Sequence, residues 1–76
     1  MARRIINELT RNGSGWEFTF VDEPGVLYQT NEFGDGLFRI VLKDNSRTQL
    51  IGHCDFYLPP EEKATRRKIL QWYHGD

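Results

Sequence analysis

The sequence contains a single cysteine, Cys54, so the chain can form neither an internal disulfide nor a zinc site built on paired cysteines. A surplus of charge is also missing, because ten Lys and Arg oppose eleven Asp and Glu. Without that surplus, no strong field draws the chain to nucleic acid or to a membrane surface. No apolar run approaches the roughly 18 residues of a transmembrane helix, and the opening stretch MARRIINE is not typical of a secretory signal. These absences predict a cytoplasmic protein.

Aromatic residues are what the sequence has in quantity, at 13% of its 76 positions. A domain of this size buries only about 60% of the surface that its unfolded chain exposes, so its stability margin is thin. One large ring buries about 150–250 Å². We therefore expect residues 1–76 to form one small domain whose core consists largely of aromatic side chains.

Glycine and proline divide most of the chain into five short segments. The clearest alternates strictly, with Trp16, Phe18 and Phe20 on one face and Glu17 and Thr19 on the other, as in a half-buried strand. The whole pattern predicts strands at about 4–10, 16–22, 26–30, 37–42 and 48–58. Because the connections are short, they favour an antiparallel meander or a small open barrel.

A helix is predicted at about 60–74, after the last strand. Pro59-Pro60-Glu61-Glu62 ends the strand and suits a first helical turn, where proline's missing N–H is not needed and carboxylates face the positive end of the helix dipole. Four residues fall on one side of the helix: Thr65, Ile69, Trp72 and Tyr73. The predicted fold class is α+β, a five-stranded antiparallel sheet or open barrel followed by one C-terminal helix.

The aromatic stripe of the second strand has two interpretations. As a core under the helix, Trp16, Phe18 and Phe20 are buried, and we favour this because so short a domain can hardly leave three large rings in water. As an exposed platform, the rings stack on unpaired bases, and the chain is a single-stranded nucleic-acid-binding domain. Four arginines would then surround the phosphates: Arg3, Arg4, Arg66 and Arg67.

Polar residues that could carry chemistry are few. His53 and Asp55 point the same way on a strand, but two ligands are too few for a closed metal site. Cys54 between them faces the opposite side, so it is not paired with His53 as a nucleophile. The glycines of the loop at 31–36 lack the phosphate-binding pattern that precedes a helix. We expect no enzymatic activity, no metal site and no cofactor.

The faces of the sheet carry more apolar residues than one helix can cover. Five strands about 4.8 Å apart make a sheet about 24 Å wide, whereas a helix is only about 10–12 Å across. The fourth strand presents Phe38 and Ile40 on one face and Leu37 and Val41 on the other. Either the sheet closes into a barrel and covers itself, or a second chain covers it.

The unmatched apolar surface predicts a binding function. We expect a small non-enzymatic protein-binding module, acting as a regulator, an inhibitor or a small subunit of a cytosolic assembly. Its partner is another protein or a second copy in a homodimer, and no membrane is involved. Aromatic anchors are typical of the centres of such interfaces, and three are the candidates here: Phe33, Tyr57 and Tyr73.

Overall fold

The computed structural model describes residues 5–13, 15–30, 36–52 and 56–74. These residues form five strands and one helix: β1 (Ile6–Asn12), β2 (Gly15–Phe20), β3 (Val26–Thr30), β4 (Leu37–Val41), β5 (Ser46–Ile51) and α1 (Glu62–His74). Each strand pairs antiparallel with the next, and in the part of the chain described no pairing joins β1 to β5. The predicted α+β class is therefore confirmed, with an open sheet that has β1 and β5 at its edges.

The fifth strand differs most from its prediction at 48–58. It starts at Ser46 and ends at Ile51, which pairs with Leu37 at the start of β4. Beyond Ile51, β4 has no further residue with which to pair, so the strand stops there. Phe56 and Leu58 lie outside any strand and are buried in the core. Because apolar residues continue after Ile51, the sequence pattern predicted a strand that is longer than the observed β5.

The other elements agree with prediction to within two residues. β1 contains a bulge between Ile6 and Glu8, where Asn7 has no partner of its own. This extra residue explains how Ile6 and Leu9, three positions apart, are both buried, because strict alternation would put them on opposite faces. The sequence pattern alone did not predict this bulge.

Two turns use backbone conformations that their residues favour. Gly25, in the turn between β2 and β3, has a φ of 80°, which glycine adopts without strain in the third position of a turn after Pro24. Asn45, between β4 and β5, has a φ of 58°, a region that asparagine tolerates. In the same turn the carboxylate of Asp44 accepts a hydrogen bond from the backbone N–H of Ser46 at 3.0 Å, which lowers the pKa of Asp44.

The core lies between one face of the sheet and α1. Its buried hydrophobic residues are Ile6, Leu9, Trp16, Phe18, Phe20, Val26, Tyr28, Leu37, Phe56, Leu58 and Ile69. The rings of Phe18 and Tyr28 stack with centroids 5.2 Å apart, and Phe20 meets both edge to face. Trp72 of α1 lies against Tyr28 and Phe56. Aromatic packing thus joins the helix to the middle of the sheet.

The backbone carbonyl of Pro59 fixes the segment before the helix. It accepts hydrogen bonds from the indole Nε1 of Trp16, at 3.2 Å, and from the hydroxyl of Thr65. The backbone N–H of Trp16 in turn donates to the hydroxyl of Thr30 at 2.7 Å. These bonds satisfy polar groups that burial would otherwise leave unpaired, so they hold α1 in place over β2.

A second polar contact closes the turn between β2 and β3. The carboxylate of Glu23 accepts hydrogen bonds from the hydroxyl of Tyr28 at 2.6 Å and from the guanidinium of Arg39 at 2.9 Å. The hydrogen bond to Glu23 raises the pKa of Arg39, and a smaller contribution comes from Tyr28. Through these hydrogen bonds, Glu23 connects the turn to β3 and β4.

Candidate interaction surface

The face of the sheet opposite the core, here called the outer face, consists of two rows of side chains that run across the strands. The pairings Glu8 with Thr19, Leu27 with Ile40, and Ile40 with Arg47 define the first row, because directly paired residues share a face. The register of β2 and β3 places Thr19 beside Leu27. From β1 to β5, this charged row reads Glu8, Thr19, Leu27, Ile40 and Arg47.

The second row of the outer face runs parallel to the first. Its order from β1 to β5 is Thr10, Glu17, Gln29, Phe38 and Gln49. The amide of Gln29 donates a hydrogen bond to the carboxylate of Glu17 at 2.9 Å, which links β2 to β3. Phe38 lies on the same strand and face as Ile40, so the two rows meet in an apolar centre.

The apolar centre of the outer face consists of Leu27, Phe38 and Ile40. All three are half-buried, whereas the side chains on the other face of the same strands include the fully buried Leu37 and Tyr28. The difference arises because α1 and the segment at 56–59 pack on the core side. Among the described residues, none of the core cluster lies over these three side chains.

Opposite charges stand at the two ends of the charged row. Glu8 lies on edge strand β1 and Arg47 on edge strand β5, four strand spacings or about 19 Å apart. The guanidinium carbon of Arg47 lies 4.1 Å from the centroid of the Phe38 ring, a cation–π contact that orients the guanidinium over the apolar centre. Neither Glu8 nor Arg47 forms an ion pair with another described residue.

An open depression of about 320 Å³ adjoins the outer face at the start of β1 and the end of β2. It is lined by Glu8 and Thr19 from the outer face and by Glu23 and Pro24 from the following turn. The carboxylate of Glu23 is already held by Tyr28 and Arg39. We therefore treat the depression as the border of the outer face and not as a separate binding site.

The predicted partner-binding tyrosines lie on the helix side of the molecule. Tyr57 is 53% exposed, and the Lys68 ammonium of α1 lies 5.9 Å from its ring centroid. Tyr73 is 41% exposed, and its ring contacts that of Phe20 at 5.3 Å. Phe33, the third predicted anchor, lies outside the described residues. A partner-binding role for these three residues stays a prediction.

The rings that the alternative interpretation made a nucleic-acid platform are inaccessible. Trp16, Phe18 and Phe20 are 3%, 1% and 1% exposed, because the aromatic stripe faces α1. The interpretation of the stripe as core is correct, and no base can stack on these rings in this structure. Arg66 and Arg67 are exposed on α1, with Arg66 3.9 Å from Glu62. Arg3 and Arg4 lie outside the described residues.

Sequence reasoning missed the charged row and the position of Leu27 in it. The alternation of β3 would have placed Leu27 opposite the buried Tyr28, but not beside any particular residue of β4. Glu8 and Arg47 pair in the unbroken register that leads from the turns after β1 and after β4, and the bulges at Asn7 and Leu50 lie beyond them. The row therefore depends on the register of four successive strand pairs, which decides which residues are neighbours across the sheet.

The described ranges hold no metal site of the kind that His, Cys, Asp and Glu side chains form together. In those ranges, no group of three or more His, Cys, Asp or Glu side chains is placed to hold a metal ion. His53, Cys54 and Asp55 fall in a gap between the described ranges.

No described helix is both long enough and apolar enough to cross a membrane. Comparison with protein-family profiles, curated proteins and solved structures gives no match.

Proposed function

We propose that this chain is a small non-enzymatic protein-binding module of the cytosol, which acts as a regulator, an inhibitor or a small subunit of a larger assembly. The outer face of the sheet is its binding surface. The observation that carries the proposal is the apolar centre, where Leu27, Phe38 and Ile40 lie together without cover from the described core.

The energetics favour a reversible contact at this face. Full burial of a large apolar side chain contributes about 1.5–3 kcal/mol, and since these three are already half-buried, about 1 kcal/mol each remains to be gained. The polar groups around them, such as the hydrogen-bonded pair Glu17 and Gln29, resemble the polar rim of a non-obligate interface. The surface is therefore suited to a partner that binds and leaves.

Charge favours a protein over a nucleic acid as the ligand of this face. Two carboxylates, Glu8 and Glu17, stand on its β1 and β2 strands and would repel a phosphate backbone. Arg47 is the single basic residue of its two rows. A polypeptide can present both apolar groups and both signs of charge, so it fits the outer face better.

Site-specific photo-crosslinking tests this proposal. A benzophenone amino acid replaces Gln49, which is exposed beside Phe38 on the outer face, or Lys63, which is exposed on α1 as the matched control. In extracts of cells that make the protein, position 49 should form an adduct with a polypeptide, whether another protein or a second copy, and position 63 should not. Adducts from neither position, or equally from both, would contradict the assignment of the outer face.

A further inference from the structure

We propose that the occupant of the outer face is a second copy of this chain, docked face to face about a two-fold axis parallel to the strands. This inference rests on the proposed function of that face and specifies its partner. It is carried by the order of residues along the charged row, from Glu8 on β1 to Arg47 on β5.

A two-fold interface requires that if one residue contacts another in the second copy, the reverse contact also forms. An axis parallel to the strands and passing over β3 reverses the charged row in the second copy. Glu8 then lies opposite Arg47 of the second copy, Arg47 lies opposite its Glu8, and the two Leu27 side chains meet at the axis. The row therefore satisfies the symmetry condition with two ion pairs at its ends and a pair of leucines at the axis, while Ile40 of each copy lies opposite Thr19 of the other.

The charges also select this axis over its alternative. A two-fold axis perpendicular to the strands would keep the order of the row and bring Glu8 over Glu8 and Arg47 over Arg47. Like charges placed opposite each other across an interface are unfavourable. Aligned packing of two twisted sheets adds a rotation of about 30°, which long side chains such as Glu and Arg can span.

These two charges cannot satisfy each other within one molecule. Four strand spacings, about 19 Å, separate Glu8 from Arg47, and neither has an ion-pair partner among the described residues. The Arg47 guanidinium is nevertheless oriented, since it lies over the Phe38 ring. Because that contact already restricts the side chain, less conformational entropy is lost when a carboxylate binds it.

The size of the face limits the strength of the dimer. Five strands of five to seven residues give a flat area of about 24 by 18 Å, or about 430 Å² for each copy. The area that the two copies bury together is at the low end of the range for specific complexes, where transient pairs are found. We expect a weak dimer with a dissociation constant on the order of micromolar or above.

Sedimentation equilibrium of two charge-reversal variants tests the pairing. At low salt and rising concentration, the average mass of the wild-type chain should climb from 9.0 kDa toward twice that value. Glu8→Arg and Arg47→Glu should each weaken self-association by about tenfold or more, because each creates like-charge pairs. An equimolar mixture of the two variants should associate again, since every pair across the interface is then opposite in charge.

Three results would overturn the second-copy assignment: a 9.0 kDa mass at all concentrations, single variants that associate like wild type, or a mixture that does not recover. Arg67→Glu, on the exposed side of α1, makes the same charge change away from the outer face and should leave association unchanged. Both outer-face positions are exposed, so the circular dichroism of the variants should match wild type. If the chain stays monomeric but still crosslinks to another protein through position 49, only this inference is overturned. If the chain neither self-associates nor crosslinks through position 49, the proposed function is overturned as well.

Discussion

The indole Nε1 of Trp16 lies 3.2 Å from the carbonyl oxygen of Pro59, so the second strand is hydrogen-bonded directly to the segment that leads into the helix. The hydroxyl of Thr65, one turn into α1, donates to the same oxygen. One carbonyl thus uses both lone pairs to join sheet, linker and helix. This arrangement holds the helix over the aromatic core on one side of the sheet. The outer face is the opposite side of the sheet.

Replacing Thr65 with valine tests the contribution of that shared carbonyl. Thr65→Val keeps the side-chain shape but removes the donor, so we expect the free energy of unfolding to fall by about 1 kcal/mol. Urea unfolding followed by circular dichroism measures the loss. Thr10→Val on the exposed outer face is the matched control and should change stability by less than about 0.5 kcal/mol. Equal effects of the two changes would contradict the account.

The two faces of the sheet should respond differently to the loss of a phenylalanine. Phe18→Ala removes a fully buried ring and should cost about 3–5 kcal/mol, a large part of the stability of so small a domain. Phe38→Ala removes a half-buried ring from the outer face and should cost about 1 kcal/mol. Urea titrations of both variants at low protein concentration provide the comparison. A larger loss for Phe38→Ala would show that the core is assigned to the wrong face.

The turn between β4 and β5 predicts a dependence on pH. The hydrogen bond from the Ser46 N–H lowers the pKa of Asp44 below its ordinary value of 3.8. A lowered pKa in the folded state means that this contribution to stability is present above the unfolded pKa and is lost as the pH falls through the folded pKa.

Asp44→Asn isolates this contribution. The stability difference between wild type and the variant should be complete above about pH 5 and should shrink as the pH falls below 3.8, because the wild-type carboxyl is protonated as the pH approaches its lowered pKa in the folded state. Urea unfolding at a series of pH values measures it. Since the other carboxyl groups titrate in both proteins, only the difference between the two is informative. A difference that stays constant or grows on acidification would contradict the role given to Asp44.

Burial of the aromatic stripe predicts the outcome of a nucleic-acid titration. In a Trp72→Phe variant, Trp16 is the only remaining tryptophan and reports on the core. A single-stranded oligonucleotide added at low salt should leave its emission unchanged, because no base can reach the indole. Quenching that saturates with oligonucleotide would instead support the stacking function that the alternation of β2 first suggested.

The sequence was sufficient to predict the elements whose signals are local. Trp16, Phe18 and Phe20 alternate with polar residues, and Pro24-Gly25 specifies its turn, so β2 and the turn after it were predictable. The end of β5 was not, since it depends on the short length of β4, to which it pairs. The alternation of apolar residues continues through Phe56 and Leu58, which reach the core from outside any strand.

The candidate site was less predictable than the fold. Excess apolar surface on β4 indicated that a second face needed cover, and Phe38 and Ile40 do lie on that face. Tyr57 and Tyr73, the tyrosines predicted as anchors, are exposed, but they lie on the helix side of the molecule. The charged row that joins Glu8 to Arg47 exists only after five strands are placed in register. No single stretch of sequence contains that information.

The most direct test of the outer face as a self-association surface is a dilution series followed by methyl NMR. As the protein is concentrated, the methyl resonances of Leu27 and Ile40 should shift together along one binding curve, while those of the buried Ile69 should stay in place. In Arg47→Glu the same curve should move to protein concentrations about tenfold higher or more. Resonances that move at Ile69 but not at Leu27 and Ile40, or that do not move at all, would contradict the account.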